Sequence, residues 1–185
     1  MNAFFFVGIA TILCAVAVLG WLGLGQLELS GSDALERDGL PRGGRAPTWN
    51  LLDSAGVRHS SPPADALQLV VFADHSLKSF PSVIAGLRGL RDATAAELDI
   101  LVLTRGPSDG ATGTLRQLGL ADLPVVAGSP ALYGDYNVRV MPFAIFVDSA
   151  GLVRASSLLN HDWQVAKLHQ VAQIPVEADD GLVTV

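Results

Sequence analysis

The hydrophobic pattern begins with an apolar stretch over the first 27 residues, none of which carries a charged side chain. Its centre, residues 3–25, reads AFFFVGIATILCAVAVLGWLGLG. As a helix it would be roughly 35 Å long at about 1.5 Å per residue, enough to cross a hydrocarbon core of about 30 Å. A cleaved signal peptide is the competing interpretation, but it has a shorter apolar core, a basic start and an A-x-A-like site. We therefore predict a retained anchor over residues 1–27 that contacts the membrane through residues 3–25.

Composition divides the rest of the chain into three parts. Residues 28–45 are rich in Gly, Pro and charge and poor in large apolar side chains, as is typical of a linker. From residue 46 to residue 174 the pattern is globular, and residues 175–185 form a tail that is acidic and then apolar. A length of 185 residues suits one domain with appendages. We predict a single domain over residues 46–174.

Segments typical of strands and of helices alternate within this domain. Residues 67–72 (LQLVVF) and 98–104 (LDILVLT) are continuous apolar runs, as in strands that are buried on both faces. The segment between them has apolar residues close to helical spacing. Residues 142–157 contain a DSAG turn that predicts a hairpin, and residues 162–173 predict a closing helix. This order indicates an α/β domain in which helices cover both faces of a mixed central sheet.

Charge and cysteine content narrow the possible functions. The formal net charge is −6 at pH 7 and no run of Lys or Arg stands out, so a nucleic-acid partner has no electrostatic support. The single cysteine, Cys14, lies in the predicted anchor and can form no intrachain disulfide, zinc cluster or dithiol pair. The four histidines show no close metal-ligand spacing. We expect neither a metal nor a cofactor.

Three motifs follow one another within about residues 46–172. An A-P-x-F-x-L-x-D-x-x-G motif matches residues 46–56, APTWNLLDSAG, with Trp49 in the aromatic position. In the second motif, a strand that ends in Phe is followed by three residues and then by C-x-x-C. Here Phe72 is followed by three residues and then by SLKS, with serines at the two cysteine positions. A proline before a strand and a D-x-x-G hairpin match Pro142 and the residues after it. In these motifs the chain resembles the membrane-anchored thioredoxin-like proteins, above all the methylamine-utilisation accessory type, MauD, and then the TlpA-like disulfide reductases.

This resemblance implies a thioredoxin-like fold in which serines replace both redox cysteines. Thiol–disulfide exchange needs a thiolate and a second thiol, and a serine hydroxyl cannot form the sulfur–sulfur bond. We therefore expect a redox-inactive domain that is not an enzyme, and we expect Ser76 or Ser79 to cap the following helix. A hydrolase triad of consecutive Asp, His and Ser is disfavoured because neighbouring residues rarely align as acid, base and nucleophile. The degenerate active-site loop consists of Ser76, Leu77, Lys78 and Ser79.

The resemblance also implies that a cis peptide bond precedes Pro142, beside the start of the helix. In active relatives the residue before this proline presents backbone groups to an extended substrate segment, much as in strand addition. Met141 occupies that position here. A cis-proline kept only for folding is the alternative. The predicted partner groove is formed by His75, Val140, Met141 and Pro142.

Together these features favour a binding role. We predict a structural or assembly subunit, or an accessory factor, of a membrane or periplasmic redox complex, with protein partners and no small-molecule substrate. The alternatives are a maturation factor of the thiol–disulfide oxidoreductase type and a holdase for exported proteins. Arginines beyond the anchor do not decide its orientation, because acidic residues lie among them and long domains cross membranes largely regardless of charge. The resemblance predicts a single-pass protein of the bacterial inner membrane with a periplasmic C-terminal domain.

Overall fold

The computed structural model describes residues 38–94, 98–106 and 108–175. The predicted anchor over residues 1–27 and most of the predicted tail lie outside these ranges. Within them, no helix combines the length and the apolar character needed to cross a membrane. All the described residues belong to one unit, which begins at Asp38.

Short strands and helices alternate along the described chain. The strands are β1 (Trp49–Leu52), β2 (Arg58–Ser61), β3 (Leu67–Ala73), β4 (Leu98–Arg105), β5 (Val125–Gly128), β6 (Phe143–Val147) and β7 (Val153–Leu158). The helices are α1 (Phe80–Thr94), α2 (Asp109–Gln117), α3 (Pro130–Asp135) and α4 (Asp162–Gln173). The hydrophobic pattern indicated the segments that form β3, α1, β4, β6, β7 and α4.

Five strands form one mixed sheet in the order β5-β4-β3-β6-β7. β3 pairs in parallel with β4, and β4 with β5, whereas β6 runs antiparallel to both β3 and β7. Because β3 lies at the centre, all its residues after Leu67 are buried. This burial explains why its sequence is a continuous apolar run rather than an alternation of apolar and polar residues.

Helices cover both faces of this sheet. Successive residues of a strand point to opposite faces, and Val71 and Phe72 accordingly belong to two different apolar clusters. On the face of Val71 lie the buried sides of α1, α2 and α4. On the face of Phe72 lie α3 and the indole ring of Trp49. The predicted α/β domain with a mixed central sheet and helices on both faces is therefore confirmed.

The hairpin of β1 and β2 is a separate two-stranded sheet. In β2, whose sequence is RHSS, only Ser61 is buried, so a pattern search for apolar residues misses this strand. Nε1 of Trp49 donates to the Tyr136 hydroxyl (3.0 Å), which donates to Oγ of Ser61 (3.3 Å). This buried chain of hydrogen bonds joins the hairpin to the end of α3.

Residues 38–46, which we call the strap, run along the edge strand β7. The amide of Gly43 donates to the carbonyl of Val153 (2.8 Å), and the amide of Val153 donates to the carbonyl of Gly44 (2.9 Å). Most of the strap falls in the predicted linker, so that part of the linker is paired with the domain. The pairing uses backbone N–H and C=O groups. Every residue supplies both, except that proline lacks the N–H, so amino-acid composition does not reveal the pairing. The strap covers part of a sheet edge that would otherwise be open to other strands.

Candidate functional site

The serine loop connects the central strand of the sheet to the first helix. β3 ends at Ala73 and α1 begins at Phe80. Two successive backbone hydrogen bonds shape the connection, from the Leu77 amide to the Asp74 carbonyl and from the Phe80 amide to the Leu77 carbonyl, both 3.1 Å. Pro81 occupies the first turn of α1, where its missing amide hydrogen costs no helical hydrogen bond. The loop is therefore a tight double turn at the carboxyl end of β3.

Asp74 is the residue that organises this turn. Its Oδ1 accepts two hydrogen bonds from Ser76, one from the backbone amide (2.9 Å) and one from the hydroxyl (2.7 Å). These bonds hold the pKa of Asp74 below its ordinary value, the amide contributing most, and the charges of His75 and Arg105 lower it further against the opposing effect of burial. The carboxylate is thus charged and points at the side chain of residue 76.

The expected capping role of the serines is not what the structure shows. The hydroxyl of Ser76 donates to Asp74 rather than accepting from the helix. Ser79 precedes α1 and accepts from the Val83 amide through its backbone carbonyl (3.1 Å). Across the described residues its hydroxyl makes no capping bond. The prediction was wrong because it treated the hydroxyls as acceptors, whereas the neighbouring carboxylate is the stronger acceptor.

His75 lies between the loop and α2. Its side chain is 45% exposed, and its Nδ1 is 3.9 Å from Oδ1 of Asp74. The ring packs so closely on Gly110 that a Cβ at that position would come within 2.5 Å of Nε2. Because glycine has no Cβ, the histidine ring can contact the first turn of α2. This contact fixes one side of the loop against the helical layer.

The proline region meets the loop at the same end of the sheet. In the antiparallel pairing of β3 and β6, Phe72 lies opposite Phe143. Pro142 therefore adjoins the residues at which the serine loop begins. The Met141–Pro142 peptide bond is cis. Pro142 is buried, Met141 is half-buried and Val140 is 47% exposed, so the segment before the proline presents apolar side chains to solvent.

A cluster of three aromatic rings, which the sequence did not indicate, packs beside the serine loop; it consists of Phe72, Tyr133 and Tyr136. The ring of Phe72 contacts the rings of Tyr133 and Tyr136, each at a centroid distance of 5.1 Å. The guanidinium of Arg105 lies 4.8 Å from the centre of the Tyr133 ring. Burial raises the pKa of Tyr133 well above its usual range, so its hydroxyl stays protonated and donates to the Leu103 carbonyl (3.1 Å). The contact with the Tyr133 ring places the Arg105 guanidinium close enough to Asp74 for its charge to lower the pKa of that carboxyl.

This arrangement has the architecture of a thioredoxin-like fold. Similar solved structures include the thioredoxin domain of a thiol-disulfide oxidoreductase from Bacteroides vulgatus, with a TM-score of 0.61, 16% identity and coverage of 72% of this chain and 99% of that one. A thiol:disulfide interchange protein of the thioredoxin family from Chlorobium tepidum has a TM-score of 0.59 at 15% identity, covering 72% and 98%. A peroxiredoxin-like protein from Aquifex aeolicus has a TM-score of 0.58 at 14% identity, covering 72% and 88%. No protein-family model matches the chain, and no curated protein does.

Ser76 and Ser79 lie between the end of the central strand β3 at Ala73 and the start of α1 at Phe80. Neither side chain can form or break a disulfide. Within the described residues, no group of three or more His, Cys, Asp or Glu side chains could hold a metal ion. The side chains of the serine loop and of residues 140–142 can form hydrogen bonds, ion pairs and apolar contacts.

Proposed function

We propose that this protein is a redox-inactive, membrane-anchored thioredoxin-like protein that acts as a structural or assembly subunit, or an accessory factor, of a membrane or periplasmic redox complex. The observation that carries the proposal is the hydrogen bond from the Ser76 hydroxyl to Asp74 at the head of α1. By the resemblance, residue 76 is the position of the nucleophilic sulfur, and here its side chain is a hydroxyl that donates to a carboxylate. The MauD-like and TlpA-like motifs support an accessory role of this kind.

The electrostatics of the loop support the loss of thiol chemistry as much as the serines do. A reactive thiolate is favoured by a helix N-terminus and by nearby cations, which lower the thiol pKa. Here a charged carboxylate lies 2.7 Å from the side-chain oxygen of residue 76. An anion at that position would meet like charge. The loop is therefore built for a neutral hydroxyl that donates a hydrogen bond.

The surface around the loop is suited to binding a protein. Val140 is exposed beside the half-buried Met141, and both residues precede Pro142, whose peptide bond with Met141 is cis. Lys78 and Arg105 are exposed on the neighbouring loop and strand end. An apolar centre with charged residues around it is the usual composition of a protein interface. We propose that the partner contacts this surface, and that residues 3–25 hold the protein in the bacterial inner membrane with the domain in the periplasm.

The lack of activity is tested with the full-length protein in mild detergent. Insulin reduction by dithiothreitol should proceed no faster with the protein than without it, while a thioredoxin control accelerates it. Catalysis above background would overturn the proposal in favour of a thiol–disulfide oxidoreductase.

The binding role is tested by purification from membranes. We expect a stable, stoichiometric partner to co-purify with the unchanged protein and to be lost from Val140→Asp. Val57→Asp is the matched control, since Val57 is similarly exposed (55% against 47%) but lies on the connection between β1 and β2. Equal retention of the partner by both variants would exclude the surface around the cis-proline. A mixture of transient clients in place of one partner would indicate a holdase.

A further inference from the structure

A groove runs between α1 and α4, on the side of these helices that faces away from the sheet. Its volume is about 450 Å³, and the residues along it are mainly small or apolar. A Cβ at Gly86 would overlap the Asp162 carbonyl at the start of α4, and Thr94 at the end of α1 lines the groove together with His169. The two helices therefore run in the same direction along the groove.

Trp163 forms one end of this groove and is poorly covered. It is 57% exposed, whereas Trp49 in β1 is 8% exposed. Farther along, a Cβ at Gly89 would meet no described atom within 4 Å, so the groove is open there. A large exposed apolar side chain beside an open apolar groove is typical of an interaction site. Because the bulky and the open parts lie on one face, two copies can cover each other by a two-fold rotation.

The charges on α1 beside the groove are complementary to themselves. Arg88 and Asp92 are exposed and lie four residues apart. Within the described ranges, no carboxylate lies within ion-pair distance of Arg88, and Asp92, 64% exposed, is 3.6 Å from Arg91. A two-fold axis across α1 midway between Arg88 and Asp92 reverses the order of the two residues. It therefore places the arginine of each copy opposite the aspartate of the other.

We propose that the groove between α1 and α4 binds a second copy of this chain, in a homodimer whose two-fold axis crosses α1 near Gly89. In this arrangement α1 packs antiparallel on its counterpart, and Arg88 pairs with the partner subunit's Asp92. Trp163 covers the far end of the partner subunit's groove, beside the partner subunit's Ala93. The dimer is independent of the proposed function, since it involves no residue of the serine loop or the proline region.

The size of this face makes the dimer a weak one. α1 has 15 residues and is therefore about 22 Å long. Two neighbouring helices are together about 20 Å wide, so the face offers roughly 450 Å² per copy, against about 800 Å² in a standard interface. Monomers and dimers should therefore exchange, and the test has to capture the dimer as it forms.

Disulfide formation at Gly89 captures it. In the full-length protein in mild detergent, Cys14→Ala/Gly89→Cys places the only cysteine of each copy near the proposed axis. With copper–phenanthroline in air, it should form a linked dimer about ten-fold faster than Cys14→Ala/Gly134→Cys, because a disulfide needs the two Cα atoms within about 7 Å. Gly134 is the matched control, since it is also an exposed helical glycine whose Cβ would meet no described atom within 4 Å. Equal rates at the two positions would overturn the dimer.

Charge reversal in the Gly89→Cys protein assigns the contact to its ion pairs. Arg88→Asp and Asp92→Arg should each slow disulfide formation about two- to five-fold at low salt, the effect expected of exposed ion pairs. The double variant Arg88→Asp/Asp92→Arg should restore the rate, because opposite charges again face each other across the axis. Arg116→Asp on α2 is the control for reversal of an exposed charge and should leave the rate unchanged.

Trp163→Ala should also slow disulfide formation, because the ring no longer covers the partner subunit's groove. Failure of the double reversal to restore the rate would overturn the proposed axis, as would an unchanged rate in Trp163→Ala. Slow disulfide formation in the purified protein, combined with protection of Gly89→Cys from alkylation in intact membranes, would assign the groove to a different protein and would also overturn the dimer.

Discussion

A cysteine placed at residue 76 tests whether the loop itself opposes thiol chemistry. The starting protein is Cys14→Ala, which removes the only native cysteine, and the test variant adds Ser76→Cys. The new sulfur would lie where the Ser76 hydroxyl now donates to Oδ1 of Asp74 at 2.7 Å. Because the pKa of Asp74 is held below its ordinary value by these bonds, the carboxylate is charged at neutral pH. A thiolate at residue 76 would therefore form next to a fixed negative charge.

Coulomb's law gives the size of this effect. At about 4 Å, two like charges repel by about 4 kcal/mol at an effective dielectric constant of 20 and by about 1 kcal/mol in bulk water. The Asp74 side chain is 35% exposed, so solvent screening brings the value toward the lower figure. At about 1.36 kcal/mol per pKa unit, the pKa of the introduced thiol should be about one to two units above the usual value of about 8.5. Replacing the carboxylate with an amide should reverse most of this increase.

The assay is the rate of alkylation by iodoacetamide as a function of pH, which follows the thiolate fraction. Ser76→Cys/Asp74→Asn should react about ten-fold faster at pH 7 than Ser76→Cys alone, with a correspondingly lower thiol pKa. Ser76→Cys/Asp92→Asn is the control, since Asp92 is an exposed acid on α1 remote from the loop. A pKa of the introduced thiol at or below about 8.5 with Asp74 intact would refute the reasoning, as would equal rates for the Asp74→Asn variant and its control.

Two further predictions concern the surroundings of the site. Burial by itself would raise the pKa of Asp53, but hydrogen bonds, chiefly the one with His59 at 3.0 Å, outweigh this effect and lower the pKa. A lowered pKa stabilises the folded protein above the ordinary value of about 3.9 and ceases to do so as the pH falls through the folded value. The unfolding midpoint in urea should therefore be lower for Asp53→Asn at pH 6, and the gap should close below about pH 4; a constant gap would contradict this assignment. Gly110→Ala should displace His75, seen as a shift of its NMR ring signals, whereas Gly113→Ala, where a Cβ meets nothing within 4 Å, should leave them unchanged. Unshifted signals in Gly110→Ala would contradict the close contact.

The central part of the fold was predictable because burial on both faces leaves a continuous apolar run in the sequence. β3 and β4 are of this kind, and the helix between them follows from its spacing. β2 was not predictable, since its RHSS sequence buries one residue and the strand forms by backbone pairing with β1. The pairing of the strap with β7 was not predicted either, because it also consists of backbone hydrogen bonds. Backbone hydrogen bonds leave no hydrophobic pattern, so elements held mainly by them must be seen in the structure.

The proximity of the serine loop to Pro142 was predictable, but the bonding within the loop was not. The spacing from Phe72 to the serines and the place of Pro142 came from the motifs, and the register of β3 with β6 brings the two segments to one end of the sheet. The acceptor role of Asp74 depends on the direction of a side chain two residues away. An Asp followed by Ser at the second position commonly forms such a turn, so the signal was present in the sequence. Arg105 and Tyr133 come from other elements, and only the folded arrangement brings them to the rim.

The direction of the Asp74–Ser76 hydrogen bond bears on the proposed loss of thiol chemistry. If only the sulfur atoms were missing, restoring cysteines would restore a thiol with the low pKa that a helix N-terminus favours. Here the loop also supplies a charged acceptor directed at residue 76. That acceptor stabilises a neutral donor and opposes an anion, so the turn is held more firmly by the serine than it would be by a thiolate. A loop fixed in this way presents a constant surface to the protein partner that we propose.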